Sequence, residues 1–191
     1  EMTARRLFVD NELWGITGSG YNARGCFISP SGEEMSLPPA HLIELLEAGA
    51  LCTDAFFDRD DEEHWKLHGD PTEAAIVVAA CKAGIDPKDL QRRSPRIGET
   101  PFNSESKRMT VVCQRPEGAV AIIKGAPEVI VELCEEYLSK NGHVPFGGRE
   151  REAALDAAQQ MACEALRVLA IARGPMMTDH QSRPTFLGLL G

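Results

Sequence analysis

Residues 101–128 read PFNSESKRMTVVCQRPEGAVAIIKGAPE, and this stretch decides the fold. Two apolar, β-prone runs, Met109–Gln114 and Ala119–Lys124, flank the turn residues Arg115, Pro116, Glu117 and Gly118. Runs of this length around a Pro- and Gly-bearing turn predict a β-hairpin. Phe102 precedes the hairpin in polar company, and Lys107 and Arg108 stand at its entrance. The second run ends in Lys124-Gly125, and Pro127 is suited to the first position of a following helix. An aromatic face and a lysine delivered by neighbouring strands make a cradle for a flat, anionic ligand, of which a nucleotide is the obvious case.

Upstream, Arg6–Asp10 and Glu12–Gly18 read as a hairpin about Asp10-Asn11. The Gly-rich TGSGYNARG that follows fits neither a dinucleotide loop nor a P-loop, and reads as a loop and bulge. Pro38-Pro39 opens an amphipathic helix with Leu42, Leu45, Leu46 and Gly49 on one face, running to about Asp54. Asp58–Glu63 is a charge run, read as a solvated loop. His64 and His68 have a helical metal-chelating spacing but no evident third ligand. After Asp70-Pro71-Thr72 a second helix runs to Lys82 and stops at Gly84.

Residues 86–100 are polar and proline-bearing, as in a connecting loop. Downstream of the hairpin a third helix is expected over 127–138, a turn region over Asn141–Gly148, and a fourth helix over 149–165. Strands over Val168–Arg173 and Thr185–Leu190 complete the chain. Hairpin-joined strands with paired helices predict an α+β domain, an antiparallel β-sheet flanked by helix pairs.

The chain has 191 residues, enough for one domain with a core that needs no covalent staples. Its 20 basic and 29 acidic residues leave a net charge of −9, which argues against a nucleic-acid surface. A local positive pocket for a nucleotide remains compatible with that balance. Six scattered cysteines without a CxxC pair, each in or beside an apolar segment, read as reduced core thiols. No apolar run reaches the roughly 18–20 residues that span a bilayer.

PFNSESKRM and KGAPE resemble the two nucleotide-site motifs of the P-type cation-transporting ATPases, in their nucleotide-binding (N) domain. Gly69–Ala75 (GDPTEAA) and Ala165–Ala170 (ALRVLA) fit the same family in the same chain order. Four motifs in order cover nearly the whole chain, and the length of the domain is similar to the calcium and sodium/potassium pump branch. The resemblance implies a P-type ATPase N-domain fold for residues 1–191, an excised insert of a larger membrane pump. It implies ATP or ADP as ligand, with Mg2+ in the full-length pump, and the phosphorylation and actuator domains of the parent chain as partners. It also implies a place at the cytoplasmic face of a membrane, with no insertion of this fragment itself.

By the same resemblance, Phe102 stacks on adenine, Lys124 lines the deep end of the base pocket with Gly125 beside it, and Lys107 sits at the ribose rim. Glu73 accepts from the adenine amine, Arg167 reaches the phosphates, and Met109 and Leu169 are apolar neighbours of the ring. Pattern alone leaves other roles open: Phe102, Met109 and Leu169 as core, Glu73 as a carboxylate favouring the helix dipole, and the lysines as solvated strand ends. Where the family often has an Arg two residues after the Phe, this chain has Ser104, so one phosphate-side cation is absent. The phosphorylated aspartate is absent too, so the chain alone is expected to bind ATP without turnover. The alternative from another class is a protein-interaction module using the apolar hairpin face, without nucleotide.

Overall fold

The computed structural model describes residues 2–59, 65–175 and 183–191. Strands β1 (Arg6–Val9) and β2 (Glu12–Ile16) form the first hairpin, with Asp10 and Asn11 both at positive φ. Such a left-handed pair matches the twist of a tight hairpin. The short strands β3 (Phe27–Ile28) and β4 (Glu34–Met35) follow the Gly-rich loop. Next come helix α1 (Ala40–Leu51), the hairpin β5 (Phe56–Arg59) and β6 (Trp65–His68), and helices α2 (Pro71–Lys82) and α3 (Pro87–Arg93).

Strand β7 (Arg96–Asn103) runs into the deciding stretch, which supplies β8 (Arg108–Arg115) and β9 (Gly118–Gly125). After it come α4 (Pro127–Leu133), β10 (Glu136–Ser139), β11 (Gly142–Pro145), α5 (Gly148–Cys163), β12 (Leu169–Pro175) and β13 (Thr185–Leu190). The main sheet runs β4-β3-β2-β1-β13-β12-β9-β8-β7, each neighbour antiparallel, and β10 joins β13 in parallel while carrying β11. The architecture is the expected α+β one, with helix groups on both faces of a largely antiparallel sheet.

Two cores explain why the central strands read as nearly continuous apolar runs. Successive side chains of a strand point to opposite faces, so Ile122 and Ile171 enter the core under α1–α3 while Ile123 and Ala170 enter the one under α4 and α5. Strand β13 is buried at every position for the same reason: Leu187 and Leu190 serve one core, Phe186 and Leu189 the other. Helix α1 packs closely on α2 at Gly49, where a Cβ would lie 2.8 Å from Ile76 Cγ2.

Several local expectations are corrected. Residues 86–100 are not a loop but hold α3 and the start of β7. Asp86 caps α3 by accepting from Lys88 N at 2.8 Å and Asp89 N at 3.3 Å, with Pro87 in the first turn. That Asp-Pro start repeats Asp70-Pro71 at α2 and was available as a signal. Strand β7 escaped notice because it is an edge strand, exposed along nearly all its length, so it has no buried face to write an alternation.

The third helix stops at Leu133, well short of residue 138. Cys134 is extended, and the chain continues as β10, where Tyr137 pairs with both Val144 and Phe186. Backbone pairing on both sides won over a helical spacing of apolar residues that continued through Leu138. The partner strand β11 occupies half of the expected turn region, Gly142–Pro145. Asp58 and Arg59 belong to β5, and residues 60–64, including His64, lie outside the described residues. His68 stands on a strand rather than a helix and stacks on Phe56, ring centroids 4.7 Å apart. Of the thiols, Cys52, Cys113 and Cys134 are buried, Cys26 and Cys81 are half-buried, and Cys163 is exposed on α5, so only half are core thiols.

Candidate functional site

Four adjacent strands, β7, β8, β9 and β12, bring their ends to one place. Asn103 pairs with Arg108, Arg108 with Gly125, and Gly125 with Ala170. One residue deeper, Met109 pairs with Lys124 and Lys124 with Ile171. Phe102 falls in the irregular stretch between Thr100 and Asn103, just before the Asn103–Arg108 pair. The row Met109–Lys124–Ile171 crosses two strand spacings, about 10 Å, with Phe102 just beyond it on β7.

The loop between β7 and β8 is built by Asn103, whose side-chain oxygen accepts from Glu105 N at 2.7 Å and Ser106 N at 3.3 Å. It leaves Phe102 63% exposed at the strand's end. The loop closes at Lys107, a non-glycine residue with φ 50°, whose carbonyl accepts from Ala126 N at 3.0 Å. Lys107 Nζ meets Glu128 Oε1 at 3.2 Å in an exposed pair. Glu128 is held below the usual carboxylate range, first by its own backbone N–H at the start of α4 and then, against some desolvation, by Lys107.

Gly125 has a structural role between strands. A Cβ there would lie 2.5 Å from the Lys107 carbonyl oxygen and 2.8 Å from Arg108 Cβ. The missing side chain thus admits the neighbouring strand β8.

Helix α2 points its N-terminus at this end of the sheet. Asp70 caps it, accepting from Thr72 N at 2.8 Å and Glu73 N at 3.4 Å. Burial pushes the Asp70 carboxyl up, but its hydrogen bonds from Thr72 and Glu73 and the charge of Arg167 together leave it below the usual range. Glu73, one turn in, is fully engaged with the protein on one oxygen. Its Oε2 accepts from Asp54 N at 2.7 Å and Ala55 N at 3.2 Å, while Oε1 takes Lys124 Nζ at 2.6 Å. Three of about four acceptor sites of the carboxylate are thereby used, leaving one.

Lys124 is the buried cation of the group, with 7% of its side chain exposed. It lies on the same face of β9 as Ile122, above Cys52, whose thiol reaches the Ile122 carbonyl at 3.7 Å. Met109 is buried in the core under α1–α3, and half-buried Leu169 packs against that core. Arg167 is exposed and precedes β12, which begins at Leu169, rather than opening the strand; Nη1 stands 3.4 Å from Thr72 Oγ1. Arg167 and Leu169 also line a cavity of about 190 Å³ with Thr72, Ile76 and Leu190.

Glu73, Met109, Lys124, Gly125 and Leu169 are thus gathered around one strand end, with Phe102 and Lys107 at its β7–β8 rim and Arg167 on the α2 side. Arg96 was missed, because its segment read as a loop. Its guanidinium ties the start of β7 to the Leu51–Asp54 turn that holds Glu73. Among the described residues no helix is long and apolar enough to cross a membrane, and no group of three or more His, Cys, Asp or Glu is placed to hold a metal.

The protein family described as P-type ATPase, cytoplasmic domain N, matches residues 41–191. Calcium-transporting ATPase type 2C member 1 of Homo sapiens is 34% identical over 198 residues, covering 100% of this chain and 20% of that protein. The calcium-transporting ATPase of Bacillus subtilis (strain 168) is 31% identical over 200 residues, and cation-transporting ATPase pma1 of Synechocystis 30% over 205; each match covers all of this chain and 22% of the relative. The chain spans about a fifth of the length of these curated relatives. With a family match over most of its length and the α+β architecture described above, the chain belongs to the P-type ATPases, as their cytoplasmic N domain.

Proposed function

We propose that this domain binds ATP by its adenine end and presents the γ-phosphate to an aspartate in a phosphorylation domain of the same parent chain. The parent is then an ATP-driven cation pump, multi-pass in a membrane, with this domain on the cytoplasmic side and an actuator domain as a further partner. Residues 1–191 act in it as a single nucleotide-binding unit. The relatives named as calcium-transporting support this reading.

One observation supports it: the neighbouring ends of β7, β8, β9 and β12 carry Phe102, Met109, Lys124 and Leu169, with Glu73 of α2 set against Lys124. Phe102 offers an exposed ring for stacking, and Lys107 the ribose rim. Glu73 has one acceptor site left for the exocyclic amine. Lys124 spends one of three donors on Glu73 among the described residues, leaving others for ring nitrogens. Arg167 and the α2 N-terminus lie on the phosphate side, where a guanidinium gives charge-assisted bonds.

In phosphoryl transfer, positioning supplies much of the catalysis. This domain does the positioning, and the accepting carboxylate comes from elsewhere in the parent. In this reading magnesium travels with the phosphates. The rival reading, a partner-binding hairpin face, finds little free apolar surface. Met109, Val111 and Cys113 are buried in one core and Ile123 in the other.

The test is a titration with ATP, ADP, AMP and GTP, with and without Mg2+, followed by amide NMR or calorimetry. Expected is a Kd on the order of 0.1 to several mM, with the three adenine nucleotides within roughly tenfold, about 1.4 kcal/mol. GTP should bind worse, because its carbonyl oxygen faces the Glu73 carboxylate where adenine offers a donor. Tight Mg2+-dependent ATP binding with no AMP binding would indicate a phosphate-centred site and overturn this reading.

A further inference from the structure

Arg96 is the first residue of the edge strand β7, yet its guanidinium turns inward to the end of α1. Nη2 donates to the Leu51 carbonyl at 3.1 Å and the Thr53 carbonyl at 2.6 Å. Nη1 reaches Asp54 Oδ1 at 2.6 Å and Glu99 Oε2 at 2.9 Å. The last carbonyls of a helix have no partner inside it, so Arg96 satisfies one such group at Leu51 while fixing the turn that leaves the helix. Only a planar fork with several donors can hold two carbonyls and two carboxylates at once.

That turn is the element that holds Glu73. The N–H groups of Asp54 and Ala55 donate to Glu73 Oε2 at 2.7 and 3.2 Å, and Glu73 Oε1 takes Lys124 Nζ at 2.6 Å. A continuous chain of contacts therefore runs from Arg96 through the 51–55 turn to Glu73 and Lys124. We propose that Arg96 is a positioning residue for base selectivity, fixing through the Leu51–Ala55 turn the plane of the Glu73 carboxylate. This inference rests on the nucleotide reading above.

The physical reason is orientation. A carboxylate gripped by two N–H groups on one oxygen cannot rotate, so the remaining acceptor site on Glu73 faces a fixed direction. Release of the turn lets the carboxylate swing about its contact with Lys124. A swinging acceptor still supplies charge, but it no longer distinguishes a base that donates from one that accepts. Base discrimination is therefore lost before general nucleotide affinity. A residue that merely anchored an edge strand would instead lower stability and all nucleotide affinities together.

The experiment compares wild type with Arg96→Gln, Arg96→Lys and, as a control, Arg92→Gln in the 191-residue chain. The readouts are the ratio of ATP to ITP affinity and the amide shifts of Asp54 and Ala55 without nucleotide. ITP replaces the adenine amine by a carbonyl. Arg96→Gln is expected to cut the ATP:ITP ratio by about three- to tenfold, the worth of one hydrogen bond, and to move both amides away from their carboxylate-bonded positions. Arg96→Lys, which keeps a charge but loses the fork, should be intermediate. Arg92→Gln, which removes a charge from an exposed pair with Asp89 on α3 outside this chain of contacts, should stay near wild type.

An unchanged ATP:ITP ratio with unmoved Asp54 and Ala55 amides in Arg96→Gln would overturn the proposal, as would a parallel loss for both nucleotides. If Arg96→Gln fails to fold, a wild-type ratio in Arg96→Lys overturns it equally. The amide shifts need no nucleotide. A wild-type chain that binds none would therefore sink the nucleotide reading, while the shifts still decide whether Arg96 sets Glu73.

Discussion

Glu73 Oε1 and Lys124 Nζ lie 2.6 Å apart although their residues are 51 positions apart in sequence. The contact joins the first turn of α2 to the penultimate residue of β9, on the face turned to the α1–α3 core. Only 17% of the Glu73 side chain and 7% of Lys124 are exposed, so each charge depends on the other. By contrast, Lys107 and Glu128 form their pair at 57% and 58% exposure. The two lysines of one hairpin therefore sit in different electrostatic regimes.

Lys124→Ala should cost about 2–3 kcal/mol of folding stability. Breaking a buried pair costs more in general, about 3–5 kcal/mol, but Glu73 retains two backbone donors and some access to water. Lys107→Ala should cost about 0–1 kcal/mol, as exposed pairs do. Urea unfolding of the two variants checks the difference. Equal losses would mean that Lys124 is no more dependent on its partner than a surface lysine.

Phe102→Ala should weaken ATP binding by about 1–3 kcal/mol, the worth of one aromatic–base stack. Stability should hardly change, because the ring is 63% exposed and packs in neither core. Calorimetric titration beside a thermal melt separates the two readouts. A variant that binds ATP normally would remove Phe102 from the site, and one that unfolds would make it a structural residue.

What the sequence disclosed depended on whether burial wrote a pattern into it. The β8–β9 hairpin and β13 were legible because their inward residues are apolar. The edge strand β7 and the short pair β10–β11 were not, since an exposed strand or one of four residues leaves too little pattern to read. For the site, the motif residues were legible as types, but their partners were not. Nothing local says that Glu73 meets Lys124, or that Arg96 reaches Leu51 and Thr53; those contacts exist only once the sheet and α1 are packed. Gly125 shows the same limit, its space being taken by Lys107 and Arg108 of the next strand.

Asp70 gives a pH-dependent prediction with a definite sign. Its folded carboxyl lies below the ordinary value, desolvation being outweighed by the hydrogen bonds from Thr72 and Glu73 and by Arg167. Its contribution is therefore complete above the unfolded value, about 3.9, and is lost as pH falls through the folded value. Asp70→Ala should cost about 1 kcal/mol at pH 7, as a lost N-cap does, and the gap from wild type should narrow below about pH 4. Urea midpoints at both pH values test this. A constant gap would show that the cap acts without its charge.

The thiols give the last prediction, because they grade the domain by depth. Burial pushes Cys52 and Cys134 up to about 12 and Cys81 to about 11, while Cys163 is exposed on α5. Only the thiolate reacts, and at pH 8 a group near 12 is ionised in roughly one molecule in ten thousand. Iodoacetamide at pH 8 should therefore label Cys163 first, with Cys52 and Cys134 following only through opening of the fold. Cys52 is the informative one, since it lies beneath Lys124 and bonds the Ile122 carbonyl. If its labelling reports opening of the nucleotide end, ATP at ten times its Kd should slow it about elevenfold, by the factor 1 + [L]/Kd. Labelling of Cys163 should not respond. Peptide mapping by mass spectrometry gives both rates in one experiment, and a Cys52 rate equal to that of Cys163, or unmoved by saturating ATP, would show that the floor beneath Lys124 is not coupled to nucleotide.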